Sequence, residues 1–376
     1  MAINTAGIIF SNLNDNTLSR MTAERTVAAI PFACRYRLVD FCLSNLVNAE
    51  ISNISIIANY NYRALAEHIG SGKDWDLARR KGGVRLISPY STARSGSAKL
   101  YSTHMEALKN MRDYIRDLSE EFVIIMDSDN VLNIDLADVL AQHKKTGAQI
   151  TMVTMPIEEG FSSKHPRIMI SSNDGRVTDI ALSASYMPTH PEVSLTIWVM
   201  RTDYLRNLIE RADAYSLDSL TNMVLKNFRN MHIGSYLYTG YVASVSSFLD
   251  YYRCSIELAT DEEARKSLLW KEGSPVFTRV HNSAPTVYSK DAHVEDSMIA
   301  DDCIIEGTVI NSVLSRGVKI CKGAVVRDCV LFAGTTVGKN ASLTSIVADQ
   351  NVTVSDFTTL AGTRNMPFYI QSGRKV

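Results

Sequence analysis

The feature that most limits the fold of this chain is a six-residue period towards its C-terminus. Beyond about residue 285, Val325, Leu331, Val337 and Leu343 stand six apart, and Val318, Ala324 and Val330 keep the same step. Small or polar residues fill the intervals, at Gly317, Lys322-Gly323, Ala333-Gly334 and Lys339-Asn340. Aliphatic residues on this repeat, with small residues beside them, predict a parallel β-helix whose triangular coils take one hexapeptide per side. Upstream the step shortens to about five, at Val294, Ile299, Ile304 and Val309. A β-sandwich of short strands also spaces its turn residues evenly and is the competing architecture.

The earlier part of the chain has a different rhythm. Ala6–Phe10, Ile54–Ala58, Phe122–Met126 and Ile150–Met155 are short runs apolar on both faces, as expected of buried strands in a mainly parallel sheet. Between them Ala107, Leu108, Met111, Tyr114, Ile115 and Leu118 recur at spacings of three and four, which predicts one amphipathic helix. Alternating strands and helices predict an α/β fold with helices on both faces of the sheet. The expected organisation is an α/β domain over 1–258, a connector over 259–286 and a β-helix over 287–376. The connector carries the charged helical stretch Glu262–Lys266, followed by Gly273-Ser274-Pro275.

Composition narrows the class. With 376 residues the chain is long enough for two cores, and 45% hydrophobic with 21% charged residues is ordinary for a globular protein. The formal net charge of −1 supplies no field that would draw the protein to nucleic acid or to a membrane surface. Met1–Thr5 has neither a basic nor a long apolar character, so no signal peptide is expected. Cys34, Cys42, Cys254, Cys303, Cys321 and Cys329 form no C-x-x-C pair, and are expected to be reduced, mostly buried side chains of a cytoplasmic protein.

Near the N-terminus, Arg25, Pro31-Phe32 and the run Arg35-Tyr36-Arg37-Leu38-Val39-Asp40-Phe41-Cys42-Leu43-Ser44-Asn45 resemble the substrate-binding segment of ADP-glucose pyrophosphorylases. The resemblance extends from residue 6 to residue 365. It includes Trp75-Asp76-Leu77, Gly82-Gly83-Val84, Ser88-Pro89-Tyr90 and Gly96-Ser97-Ala98, then Asn311–Leu314, Gly317–Ile320 and Gly323-Ala324. It implies a Rossmann-like nucleotidyltransferase domain followed by a left-handed parallel β-helix of hexapeptide repeats. It also implies a reaction in which glucose 1-phosphate attacks ATP to give ADP-glucose and pyrophosphate.

That chemistry needs a glycine-rich backbone cradle for the triphosphate, positive charge, and a magnesium ion held by carboxylates. The resemblance fails at those places. The family's Gly-Gly-x-Gly-Thr-Arg-Leu turn becomes Asn12-Leu13-Asn14-Asp15-Asn16-Thr17-Leu18, and a lysine near the phosphates becomes Val27. Asp129 matches the family's magnesium-binding aspartate and is the retained catalytic residue, while Asp127 replaces a small residue. Ser244 stands where the second metal aspartate should be, and a hydroxyl is a poor ligand for a hard cation. Asp127 and Asp129 together could hold Mg2+, as D-x-D motifs of glycosyltransferases do; capping of a strand-end turn is the structural alternative.

The sugar-phosphate grip is thinned as well. The family's Glu-Lys-Pro falls near Leu182-Ser183-Ala184, and its Ala-Ser-Met-Gly-Ile-Tyr becomes Val193-Ser194-Leu195-Thr196-Ile197-Trp198, with Thr196 in the glycine's place. Lys99 replaces an aspartate. The substrate-binding residues implied are Arg37, Asp40, Gly96 and Ser194. Arg25 lies in the region that adjoins the effector site of relatives, with a surface or salt-bridged arginine as the other reading.

Losing one charged or oxyanion-type contact typically costs ~2.7–4 kcal/mol of transition-state stabilisation, so these losses together are hard to reconcile with efficient turnover. The departures resemble the GlgD-type subunit, which accompanies a catalytic GlgC-type subunit in Gram-positive bacteria. The reading is a non-catalytic or weakly catalytic regulatory subunit that forms a heterotetramer with a catalytic paralogue, raising its activity or changing its response to a sugar-phosphate effector, with self-association as the other mode of assembly. An active enzyme rearranged around Asp127, Asp129 and Lys99 is one alternative. A sensor holding sugar phosphate at Arg37, Asp40, Ser194 and Gly96 is another. A hexapeptide acyltransferase is disfavoured because residues 296–376 contain no histidine to act as its base.

Overall fold

A computed structural model gives the structure of the chain and describes residues 4–11, 13, 18–88, 101–157, 167–182, 191–214 and 219–376. The chain forms two compact units: Met1–Leu13 with Phe41–Gly240, and Asn14–Asp40 with Tyr241–Val376. This differs from the sequential division at 258 and 286. Two buried contacts within the second unit account for it. Arg25 pairs with Asp349 at 2.8 Å, and the Tyr251 hydroxyl donates to the Pro31 carbonyl at 2.8 Å. An early segment is thereby fastened to the C-terminal half of the sequence.

The first unit is built on a nine-stranded sheet. Its strands are β1 (Thr5–Phe10), β2 (Asn53–Ile57), β3 (Gly83–Ile87), β4 (Phe122–Asp127), β5 (Ile150–Pro156), β6 (Met169–Asn173), β7 (Arg176–Ala181), β8 (Glu192–Arg201) and β9 (Ile233–Leu237). They lie in the order β3-β2-β1-β4-β8-β5-β9-β7-β6. Seven of the nine run in one direction, and only β8 and β7 oppose them. Every residue of β1 and β4 is buried, which is why these runs are apolar on both faces. The expected single helix over 107–118 is two, His104–Asn110 and Arg112–Arg116, broken at Met111, whose φ of −103° and ψ of 19° leave the helical region. The apolar stripe survives the break, with Ala107, Leu108, Met111 and Ile115 all in the core.

The second unit contains three five-stranded sheets in which every pairing is parallel, stacked coil upon coil. This is a parallel β-helix, and it excludes the sandwich. Val325 pairs with Ser342 and Ser342 with Thr359, so these coils take 17 residues. His293 pairs with Thr308, a step of 15, and Ile346 with Phe368, a step of 22. The buried column runs Ile320, Val326, Leu331, Val337, Leu343, Ala348, Val354. Val325, placed in the column by a strict six-residue count, instead faces outward with 37% exposure. Gly317, Gly323 and Gly334 turn the coils with φ near +70° (67°, 75° and 73°), where a Cβ would be strained.

Candidate functional site

The C-terminal ends of the central parallel strands gather the polar residues of the first unit, as is usual in open α/β sheets. Asp127 ends β4 beside Phe10, and the Ser128 amide donates to the Phe10 carbonyl at 3.2 Å. Residues of the segment that most resembles the family brace this end. The Cys42 thiol reaches the Asp127 carbonyl at 3.6 Å. Asn45 donates to Leu132 O at 2.9 Å and accepts from the Ile134 amide at 3.2 Å. Part of that preserved segment is therefore scaffold.

Asp127 is tied by its carboxylate. His104 Nε2 donates to its Oδ1 at 2.7 Å, with the aspartate side chain 6% exposed and the imidazole 26%. His104 is the first residue of its helix, which Thr103 caps by accepting from the Glu106 amide at 3.2 Å. Phe10 meets the imidazole edge-on, with ring centroids 4.6 Å apart. Burial works against a charged ring, but the neighbouring Asp127 and Asp129 outweigh it, and the His104 pKa is raised.

Asp129 is buried two residues further on. Its Oδ1 lies 3.2 Å from the Asn130 amide nitrogen, which is also 3.0 Å from Thr196 Oγ1 and 3.2 Å from Leu195 O. The partner here is an irregularity in β8. Ser194 pairs with Thr154 and Ile197 with Val153, so Leu195 and Thr196 bulge out of register. Thr196 takes a φ of +56°, a region suited to glycine, and its hydroxyl donates to the Leu195 carbonyl at 2.7 Å. Ser194 is buried, and its Oγ accepts from Trp198 Nε1 and from the Thr196 amide, both at 3.3 Å. Asp127, Asp129 and the Ser194–Thr196 bulge thus form one polar cluster.

The other expected site residues lie elsewhere. Arg25, Arg37, Asp40 and Ser244 belong to the second unit. Arg25 is buried in its ion pair, with Phe332 5.9 Å from the guanidinium, and the Tyr369 hydroxyl donates to the other oxygen of Asp349. Asp40 accepts from the Arg37 amide at 3.0 Å, half of a capping box at the start of the helix Leu38–Asn48. Val27 is buried in a 3-10 turn, and Ser244 ends the short strand Val242–Ser244, half-buried. Leu13 packs against the core of the first unit, so a side chain occupies what a phosphate-binding glycine would leave open. Gly96, Lys99, Ser183, Asn12 and Asn14–Thr17 lie outside the described residues.

Two features were not read from the sequence. His104 lies within the signature Thr103-x-x-Glu106 of a helix start, a signal that could have placed it in the first turn of a helix. Glu192, buried, accepts from the hydroxyls of Thr154, Ser172 and Ser235, which come from three other strands and share no local pattern. In the second unit, Cys34, Arg35, Tyr36, Arg265, Trp270 and Ser297 help line a cavity of about 560 Å³. Burial pushes the Cys34 thiol up to about 12, which is unlike a reactive thiolate. Among the described residues no set of three or more His, Cys, Asp or Glu side chains is placed to hold a metal ion. None of the described helices is long and apolar enough to cross a membrane.

Comparison with known proteins agrees with this architecture. Residues 16–181 match the Nucleotidyl transferase family, and residues 282–364 match the family described as GlmU-like, C-terminal hexapeptide. The Glycogen biosynthesis protein GlgD of Bacillus subtilis (strain 168) is 31% identical over 371 residues, spanning 98% of this chain and 95% of the relative. Similarity sustained across both units means that the chain belongs to the ADP-glucose pyrophosphorylase family, as a protein of the GlgD type.

Proposed function

We propose that this chain is a regulatory subunit of bacterial glucose-1-phosphate adenylyltransferase in glycogen biosynthesis, with negligible turnover of its own. One observation carries the reading. The polar cluster at the strand ends is engaged by the chain's own groups, His104 on Asp127 and the Asn130 amide between Asp129 and Thr196. Catalysis requires preorganised charge aimed at the reacting phosphates. Here Val27 is buried and apolar, and Leu13 belongs to the core packing. The retained scaffold suits assembly with a catalytic paralogue in the cytoplasm, as a heterotetramer.

The effector response is assigned to the second unit, where Arg35 and Arg265 line the 560 Å³ cavity and suit a sugar phosphate. Arg25, held by Asp349, contributes by fixing the early segment rather than by touching the effector.

The test is an assay of ADP-glucose formation by the chain alone, by a catalytic paralogue alone and by the co-expressed pair, each with and without fructose 1,6-bisphosphate. The chain alone should give no product above background. The pair should co-elute on size exclusion and exceed the paralogue in rate or in effector response. Turnover by the chain alone comparable to the paralogue's, or a paralogue unaffected by it, would sink the proposal.

A further inference from the structure

The resemblance asks Asp129 to hold a magnesium ion, and the D-x-D reading adds Asp127 at the end of β4; the geometry there does not suit one. Mg2+ demands near-octahedral oxygen coordination and keeps several waters, so its carboxylates must face an open, hydrated space. Asp127 is 6% exposed at its side chain, and one oxygen is already committed to His104 at 2.7 Å. Asp129 is also buried, and its Oδ1 faces the Asn130 amide. No third carboxylate joins them among the described residues.

We infer that the His104 imidazole, rather than a divalent cation, is the resident partner of Asp127, so that the strand-end aspartates of this chain do not form a metal site. His104 is well placed to stay there. It opens a capped helix, and the edge-on Phe10 ring fixes its orientation. A cation on the other oxygen of Asp127 would share a buried carboxylate with this donor and face the half-buried imidazole at close range. Asp127, which replaces a small residue of the family pattern, is thus an internal brace between β4 and the helix His104–Asn110. This inference is separate from the regulatory reading, since a chain without effect on any paralogue could still exclude metal in this way.

The full-length chain is titrated into Mn2+ while the electron paramagnetic resonance signal of the free ion is followed. The wild type should leave the signal unchanged at sub-millimolar metal. His104→Ala should take up about one equivalent with at least ~10-fold tighter apparent binding. The double variant His104→Ala, Asp127→Asn should lose that uptake. Circular dichroism establishes that each variant is folded. Should the alanine variant fail to fold, His104→Asn, too short to reach Asp127, is read in the same way. Saturable Mn2+ binding by the wild type that Asp127→Asn abolishes would overturn the inference. A folded His104 variant that binds no more metal than the wild type would overturn His104 as the group that keeps the cation out.

Discussion

Thr196 holds a backbone conformation that β-branched residues avoid. Its φ of +56° places Cβ against the neighbouring carbonyl, at a cost of about 1–3 kcal/mol. The bonds to Leu195 O and from Asn130 offset part of that cost. Hydrogen bonds of this kind return only ~0.5–1.5 kcal/mol each once exchange with water is counted. Thr196→Gly is therefore expected to stabilise the protein by about 1 kcal/mol, read as a higher urea midpoint with an unchanged slope. A loss of stability would mean that the Asn130 bridge outweighs the strain. The same substitution should restore room at the bulge without restoring turnover, because the groups around Asp127 are untouched.

At the scale of the element, the helix Leu136–Thr146 carries a titrating group into the sheet. His143 is buried, its Nδ1 lies 2.7 Å from Thr151 Oγ1, and the Phe122 ring meets it edge-on. Burial first, then the positive charges of Arg201 and Lys144, lower its pKa from 6.5 to about 4. The folded state then binds fewer protons than the unfolded one. This contribution to stability is complete above about pH 6.5 and is lost as pH falls towards about 4, by on the order of 3 kcal/mol. Unfolding of the wild type and of His143→Gln, compared between about pH 7.5 and 4.5, should show the smaller loss in the variant. Equal losses would remove His143 as the cause.

Element type was largely legible in the sequence, whereas position within an element was less so. The aliphatic run of β1 and the column of the β-helix announce themselves through period alone. The count then slips, because a 17-residue coil divides as six, six and five, and a fixed six-residue ruler lands on Val325 instead of Val326. One residue of slip in a strand exchanges the inside for the outside. Within the polar cluster, Asp129 and Ser194 stand in segments that motif singles out. The partnership of His104 with Asp127 joins residues 23 positions apart, and that of Asn130 with Thr196 joins residues 66 apart, so no local spacing encodes either.

For the whole molecule, the division of the chain predicts how it can be cut. The second unit needs Asn14–Asp40 as well as Tyr241–Val376, and the reason is electrostatic as well as geometric. Asp349, with a side chain 4% exposed, has Arg25 on one oxygen and the Tyr369 hydroxyl on the other. A fragment 241–376 keeps the tyrosine and loses the arginine, leaving a buried carboxylate without its counter-charge. Removing one member of a buried pair typically costs about 3–5 kcal/mol. The fragment also loses the Pro31 carbonyl that takes the Tyr251 hydroxyl. It is therefore expected to be markedly less stable than a fusion in which residues 14–40 are joined to 241–376 by a flexible glycine-serine linker. Asp349→Asn should recover part of the difference in the bare fragment, where it removes an unpaired charge. In the fusion the same substitution should be destabilising, because there it breaks the pair with Arg25. Thermal unfolding of the four proteins gives the answer directly. If Asp349→Asn shifts both backgrounds in the same direction, the ion pair is not what binds residues 14–40 to the β-helix unit.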